Sequence, residues 1–440
     1  MIAHRPLART AGCVAGVVLL GGTLAACSGG DSQTGGPVEI SFLTQNDPQG
    51  VKTGRAFVAA FESANPNIKV KLNTQPAGSE GDNLVKTKLS TGTMDDVFSY
   101  NTGSLLQALN PDEQLVDLSG EPWVKDVSSD FKPVVSTDKG MYGAPIGTSF
   151  AGGVLYNKKV YAKLGLSVPT SWSEFMANSE KVKKDAPGVA PIIQAYGDDW
   201  TAQIFVLADF ANVARQDPNW ATNYTKNKAK YVNQPALAGF LHQEEAFKAG
   251  LFNKDFPSIK NEQALKMLAD GKGAQYPLLT NAVSAIQQTS PDKLNDIGFF
   301  ALPADDAANT QATIWLPNAL YIPKTSEGAK LDAAKKFISF LSASEAGCKV
   351  QDENGTASGP YVTSACKLSD KVPPVIEDVN KYFTAKRVSP ALEFVSPIKG
   401  PGLPNITVEV GSGISTAKKA AELYDQDVIK QAQQLGLDGW

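Results

Sequence analysis

Histidine is scarce in this 440-residue sequence, and neither sign of charge is in excess. The chain has two histidines, and His4 lies among the first residues, so the folded part keeps only His242. This excludes most multi-histidine metal sites, and we expect no metal ion and no cofactor. Lysine and arginine total 41 against 45 acidic residues, a net charge of −4, and no basic run occurs. No nucleic-acid partner is therefore expected.

Two sequence motifs of nucleotide and ester chemistry are also missing. No Gly-x-x-x-x-Gly-Lys-Ser/Thr run occurs, so the chain is not expected to hydrolyse ATP. No Gly-x-Ser-x-Gly elbow occurs either, which argues against a serine hydrolase. The composition, 42% hydrophobic and 20% charged, is that of an ordinary globular protein.

The N-terminus has the pattern of a secreted lipoprotein. Residues 1–9 are basic, and residues 11–20 (AGCVAGVVLL) form an apolar run too short to span a bilayer. Residues 24–27 (LAAC) resemble the bacterial lipobox, whose cysteine receives a diacylglyceryl group. We predict a signal peptide over 1–26, and a lipidated Cys27 with a flexible tether over 27–37. The alternative is an ordinary signal peptide with a chance cysteine.

The lipid would place the protein outside the cytoplasm, anchored to the bacterial cell membrane. Because Cys13 leaves with the signal peptide and Cys27 is lipidated, Cys348 and Cys366 remain in an oxidising compartment. A disulfide between them is expected, with a pair of free thiols as the alternative.

Strand and helix patterns alternate along the rest of the chain. Residues 38–42 and 68–72 alternate apolar and polar side chains, and residues 53–64 carry an apolar helical face between them. This strand–helix–strand unit predicts neighbouring parallel strands in an α/β protein with two lobes. Further helical patterns occur at 171–184, 236–249, 261–269 and 329–343.

Several blocks resemble the extracellular solute-binding proteins (family 1, carbohydrate-binding branch) of ABC importers. Residues 61–70 (FESANPNIKV) resemble the family's FExxNPxIKV block, and residues 155–175 are similar to its YNK, GL and P-x-TW-x-EF run. Residues 297–303, 322–338 and 424–440 resemble later blocks in the family's order. At residues 95–97 the chain departs from the family, which usually has proline before the last aspartate.

The resemblance implies a fold and a function. The fold is a two-lobe periplasmic-binding-protein-like clamp of type II, each lobe a mainly parallel sheet flanked by helices. Lobe one would hold 38–147 plus 311–355 and lobe two 148–310 plus 356–440, with crossings near 145–151, 303–314 and 356–360. The function is that of a lipid-anchored, monomeric, non-enzymatic binding protein. It would capture a sugar or oligosaccharide between the lobes and deliver it to ABC permease subunits. A tethered glycoside hydrolase and a sugar sensor without transport are the alternatives.

Binding a sugar requires aromatic rings against its apolar C–H faces and planar polar groups against its hydroxyls. In parallel α/β lobes the ligand lies beyond the carboxyl ends of the strands. That position and the hinge select Gln45, Asn46, Asp47, Asn101, Thr102, Ser149 and Phe150. We add the consecutive residues Asp198, Asp199 and Trp200, because they place two carboxylates beside a large aromatic ring. A surface turn is the alternative interpretation. The resemblance to the family adds Trp315, Asn318 and Tyr276, with core packing as the alternative for Trp315 and Tyr276. The hydrolase alternative would draw its carboxylates from Asp47, Asp198, Asp199 and Glu393.

Overall fold

A computed structural model of the protein describes residues 36–355, 357–367 and 372–440. The predicted signal peptide, the lipidation of Cys27, most of the tether and the crossing residue Thr356 lie outside the described residues. Within these ranges, no helix is long and apolar enough to cross a membrane.

The first sheet has five strands in the order β2-β1-β3-β10-β4. Their bounds are β1 Val38–Gln45, β2 Ile68–Gln75, β3 Val97–Tyr100, β4 Ala144–Pro145 and β10 Ala319–Tyr321. β1 is parallel to β2 and β3, whereas β10 is antiparallel to β3 and β4. Four strands therefore share one direction, and the strand–helix–strand prediction is confirmed by β1, helix α1 (Pro48–Ala64) and β2.

The second sheet has six strands, in the order β11-β9-β5-β7-β6 with β8 also paired to β5. Their bounds are β5 Phe150–Asn157, β6 Ala190–Ile192, β7 Gly273–Leu279, β8 Ile297–Phe300, β9 Ala312–Trp315 and β11 Val388–Pro390. β5 is antiparallel to β7, β8 and β9, while β6 follows β7 and β11 follows β9 in parallel. Each sheet is thus mainly parallel, as predicted, with one reversed strand.

The reversed strands mark the points where the chain passes between the sheets. β5 follows β4 directly, and β10 follows β9 directly, so each is the first strand after a crossing. The second crossing lies between Trp315 and Ala319, because β9 pairs within the second sheet. This is a few residues later than the predicted range of 303–314, and it moves residues 312–315 out of the part assigned to lobe one.

The third crossing is also later than predicted. Val362 is buried in the core of the first sheet, and the backbone N–H of Ser128 donates to its carbonyl at 2.8 Å. The predicted disulfide joins Cys348 to Cys366, with Cα atoms 5.3 Å apart, and holds this segment on helix α14 (Glu345–Asn354). Among the described residues that follow, Val372 packs against the second sheet's core, and Val375 of helix α15 (Pro374–Thr384) is fully buried in it.

The helices after α1 cover the sheets and their connections. Their bounds are α2 Gly78–Ser90, α3 Ser104–Gln107, α4 Pro111–Gln114, α5 Lys158–Leu164, α6 Trp172–Asp185, α7 Ile204–Ala208, α8 Phe210–Gln216, α9 Trp220–Thr225, α10 Ala238–Lys248, α11 Asn261–Ala269, α12 Val283–Thr289, α13 Gly328–Ala343, α14 Glu345–Asn354, α15 Pro374–Thr384, α16 Leu403–Gly411 and α17 Ala417–Gln434. The four further helices predicted from the sequence correspond to α6, α10, α11 and α13 within about two residues at each end.

Each sheet has its own apolar core. In the first, Phe337 of α13 makes edge-to-face contacts with Phe42 and Phe61 at centroid distances of 5.2 and 5.0 Å. The second sheet is covered by three apolar clusters, one of which holds Tyr424 of α17. Separate cores leave the region between the sheets free for polar side chains.

Candidate functional site

The carboxyl ends of β1, β2 and β3 lie together, and we call these ends with the residues that follow them the first-sheet edge. Gln45, Asn46 and Asp47 are exposed there. Asp47 also caps α1, since its Oδ1 accepts from the N–H of Gly50 at 2.9 Å. The structure therefore brings this predicted trio to the expected edge.

Besides the hydroxyl of Tyr100, three polar atoms at the first-sheet edge are buried without a hydrogen-bond partner among the described residues. They are Oε1 of Gln75, Oγ of Ser79 and Oγ of Ser104. Gln75 ends β2 and is 4% exposed, and Ser104 begins α3 and is 2% exposed. A buried polar atom left unpaired costs about 1–3 kcal/mol, so a polar ligand that bonded to these atoms would remove that cost. Sequence reasoning missed all three, although each follows a strand of the predicted sheet.

Asp82 of α2 and Tyr100 of β3 face each other at the same edge. Burial raises the pKa of the Asp82 carboxyl; Tyr100 and Lys399 lower it, and Asp199 raises it further. Burial also raises the pKa of the Tyr100 hydroxyl well above its usual value. The pair offers an acceptor and a donor to a ligand.

Asn101, Thr102 and Asn318 connect this edge to the second crossing. The carbonyl of Asn101 accepts from the Tyr321 hydroxyl at 2.9 Å. The Thr102 side chain is buried at 3.4 Å from the Pro317 carbonyl, and the carbonyl of Asn318 accepts from the Ile146 N–H at 3.1 Å. These contacts hold the crossing in place and leave the side chains of Asn101 and Asn318 half-buried.

The second sheet has two aromatic rings where β5 and β9 pair, beside the crossings to the first sheet. The ring of Trp315, which ends β9, stacks on that of Phe150, which begins β5, at 6.3 Å between centroids and 7° between planes. Gly152 allows this position, because a Cβ there would lie 2.4 Å from Cζ3 of Trp315. Trp315 also lines a cavity of about 10 Å³, room for one water, together with Glu393 and Lys399.

Glu393 and Lys399 form a buried ion pair beside these rings. Their side chains are 8% and 14% exposed, and Nζ lies 3.1 Å from Oε2. A Cβ at Gly103 would lie 2.2 Å from the Glu393 carbonyl oxygen, so this segment touches the first-sheet edge. Gly103 has φ +68, which favours glycine in addition. Sequence reasoning named Glu393 only for the hydrolase alternative and missed Lys399, because a loop brings the pair together.

The predicted trio of Asp198, Asp199 and Trp200 lies at the start of a 3₁₀ turn. The Asp198 carboxylate bonds to a residue of the same half of the structure, since its Oδ2 accepts from the N–H of Asn261 at 2.8 Å. Asp199 lies across from the first-sheet edge, against the first residue of α2. Trp200 is half-buried on the second sheet's clusters. We call Asp199, Trp200, Trp315, Glu393 and Lys399 the second-sheet face, and the region between it and the first-sheet edge the cleft.

Besides Thr102 and Trp315, which are 3% and 5% exposed, two further predicted residues are held within the structure. Tyr276 in the middle of β7 is fully buried among apolar side chains, and its hydroxyl donates to Oδ1 of Asn261 at 3.0 Å. The core-packing alternative therefore describes Tyr276. Ser149 is buried at the first crossing, where its N–H donates to the Pro360 carbonyl at 2.9 Å.

His242 is buried as well. Its ring stacks on Trp172 at 4.0 Å between centroids, and Nε2 lies 3.0 Å from Oδ1 of Asp305. Within the described ranges, no group of three or more His, Cys, Asp and Glu residues is placed to hold a metal ion.

Two mainly parallel sheets with polar and aromatic side chains between them define a two-lobe binding protein. The chain belongs to the bacterial extracellular solute-binding protein family, which it matches over residues 47–347.

Curated relatives cover most of the chain. The chain is 25% identical over 332 residues to the multiple sugar-binding protein of Streptococcus mutans, covering 72% of this chain and 74% of that protein. It is 22% identical over 302 residues to the melibiose/raffinose/stachyose-binding protein MelE of Bacillus subtilis, covering 66% of each.

Solved structures confirm the predicted fold class. A chitin oligosaccharide binding protein superposes with a TM-score of 0.75 at 20% identity, covering 90% of this chain and 100% of that one. The binding protein RafE in complex with raffinose superposes with a TM-score of 0.73 at 21% identity and the same coverage.

Proposed function

We propose that this protein captures a sugar or oligosaccharide in the cleft and delivers it to the permease of an ABC importer, without altering it chemically. The observation that carries the proposal is the set of buried, unpaired polar atoms at the first-sheet edge, on Gln75, Ser79 and Ser104. Sugar hydroxyls both donate and accept hydrogen bonds, so they are suited to pair such atoms.

The second-sheet face complements these atoms. The ring of Trp315 is a plane for the apolar C–H face of a pyranose, and the carboxylates of Asp82 and Glu393 are acceptors for its hydroxyls. The relatives named above are described as sugar-binding proteins, which supports the same ligand class.

We further propose that lobe one holds 37–147, 319–355 and 357–367, and that lobe two holds 148–315 and 372–440. Their crossings would act as the hinge, and the ligand would close the lobes because it contacts both in the closed state. Small-angle scattering should show a smaller radius of gyration at saturating sugar. An unchanged radius would contradict the hinge.

A thermal-shift screen of the purified protein against mono- and oligosaccharides, with polyols and phosphodiesters as controls, tests the ligand class. A ligand at 100 times its dissociation constant adds about 2.7 kcal/mol to the free energy of unfolding. A sugar that binds and stays intact after overnight incubation supports the proposal, whereas conversion to smaller sugars would establish a hydrolase. If only non-sugar solutes bind, the proposal that the ligand is a sugar is refuted.

The membrane anchor is part of the proposal. The wild-type chain should take up labelled palmitate in a bacterial host and sediment with membranes, and a Cys27→Ser variant should do neither.

Delivery is tested by sugar uptake in cells that carry the neighbouring permease genes. A neighbouring sensor kinase instead of permease genes would favour sensing. Light scattering should give the mass of one chain.

A further inference from the structure

The charges around the cleft restrict the class of sugar that it accepts. We infer that the cleft binds neutral and amino sugars and rejects sugars that carry a carboxylate or a phosphate. This inference rests on the proposed function and narrows its ligand class.

The first position suited to an anion is already taken by the protein. Helix starts attract anions, because their first N–H groups have no partner within the helix and the helix dipole is positive there. α2 starts at Gly78 on the first-sheet edge, and Ala77 before it supplies no side-chain cap. A Cβ at Gly78 would lie 2.3 Å from Oδ1 of Asp199, so a carboxylate of the second-sheet face lies against this helix start.

The second such position, the ammonium group of Lys399, is neutralised. Its Nζ lies 3.1 Å from Glu393, and both side chains are largely removed from water. Lys399 also attracts Asp82 from the other side of the cleft. A buried cation between two carboxylates has little attraction left for a third.

A ligand carboxylate would therefore meet other carboxylates, while the ammonium group of Lys399 is already paired. Asp82, Asp199 and Glu393 contribute negative charge to the cleft, while the cations that act on Asp82 are Lys399 and Lys86, one helical turn further along α2. Like charges brought together during binding are strongly unfavourable, and we expect sugar acids to bind on the order of tenfold more weakly or worse. An ammonium group on the sugar would be attracted instead.

Sugars that share one ring and differ only in charge test the inference. Isothermal titration calorimetry should compare glucose, glucosamine and glucuronate, then galactose, galactosamine and galacturonate, and the trisaccharides of each. The expected order is amino or neutral sugar first and uronate last. Added salt should strengthen the binding of the uronate, because it screens the repulsion. A uronate that binds as tightly as its neutral counterpart would overturn the inference and leave the proposed function standing. If neither neutral, amino nor acidic sugars bind, the proposed function fails with it.

Removal of one negative charge provides a second measurement. In Asp199→Asn, the ratio of the uronate dissociation constant to that of the neutral sugar should fall about fivefold or more. Asp185→Asn is the matched control, because Asp185 is paired with Lys181 on the exposed end of α6 and should leave the ratio at its wild-type value. An equal fall in both variants, or in neither, would contradict the role of Asp199.

Discussion

Ser104→Ala should stabilise the protein and lower its affinity for sugar at the same time. Ser104 is 2% exposed and its Oγ has no partner, so the folded protein carries a desolvated hydroxyl whose bond to water was lost on folding. Replacing it by a methyl hydrogen removes that penalty, and the free energy of unfolding should rise by about 1 kcal/mol. The ligand loses one hydrogen bond of about 0.5–1.5 kcal/mol, which weakens binding by roughly 2- to 13-fold.

A buried serine with partners provides the matched control. Ser179 is fully buried; its Oγ donates to the Phe175 carbonyl and accepts from Nε2 of Gln275, each at 2.8 Å. Ser179→Ala should lower the free energy of unfolding by about 1–3 kcal/mol and leave sugar affinity unchanged.

Urea unfolding gives the stability of each variant, and calorimetry with the sugar identified in the screen gives its affinity. Opposite signs of the stability change in the two variants are the expected result. If Ser104→Ala destabilises the protein as Ser179→Ala does and binds sugar at wild-type strength, then Ser104 is not a ligand-bonding residue and the reasoning from unpaired atoms is refuted.

Three further predictions concern residues other than these two serines. Burial raises the pKa of Asp209 from 3.8 to about 6, so the folded protein holds this proton more tightly than the unfolded chain, and stability should fall by up to about 3 kcal/mol between pH 4 and pH 6. Asp209→Asn should flatten that part of the urea-unfolding profile. Replacing Cys348 and Cys366 by serine should lower the free energy of unfolding by about 3 kcal/mol, because their bond closes a loop over a sequence separation of 18. Gly152→Ala should displace Trp315, with a shift in tryptophan fluorescence and sugar affinity reduced about tenfold.

Each of these changes has an outcome that contradicts it. A pH profile of the Asp209 variant parallel to that of the wild type would show that another group carries the pH dependence. Equal stability of the serine double variant and the oxidised wild type would remove the disulfide from the stability argument. For Gly152, the control is Gly120→Ala, since a Cβ at Gly120 meets nothing within 4 Å; identical affinities of the two variants would refute the role of the ring.

Much of the fold could be predicted from the sequence because its signals are local. The β1–α1–β2 unit follows from alternation and helical periodicity within about 35 residues, and α1 begins earlier than predicted because Asp47 caps it and Pro48 opens it. The crossing after β9 was misplaced, since a four-residue strand is too short to show which of two sheets it joins.

The candidate site was only partly predictable. The position of Gln45 and its neighbours at a strand end could be predicted, because the turn after β1 is visible in the sequence. Lys399 could not be identified from the sequence, because its interactions with Glu393 and with Asp82 form only in the folded chain. For Tyr276, a residue type suited to sugar stacking is equally suited to a core, and no sequence pattern distinguishes the two uses.

The order of the strands has a consequence for how the chain folds. The first sheet cannot be finished until β10, at Ala319–Tyr321, reaches β3 and β4, and the second remains open until β11 arrives at Val388–Pro390. Neither half is a contiguous stretch of chain, so a fragment ending after β4 would expose the free edge of β3. Because the decisive pairings join residues far apart in sequence, their closure is slow compared with local helix formation. Neither half can be completed from the first half of the chain alone, and we expect a nascent chain to stay vulnerable to aggregation and proteolysis until β11 is made.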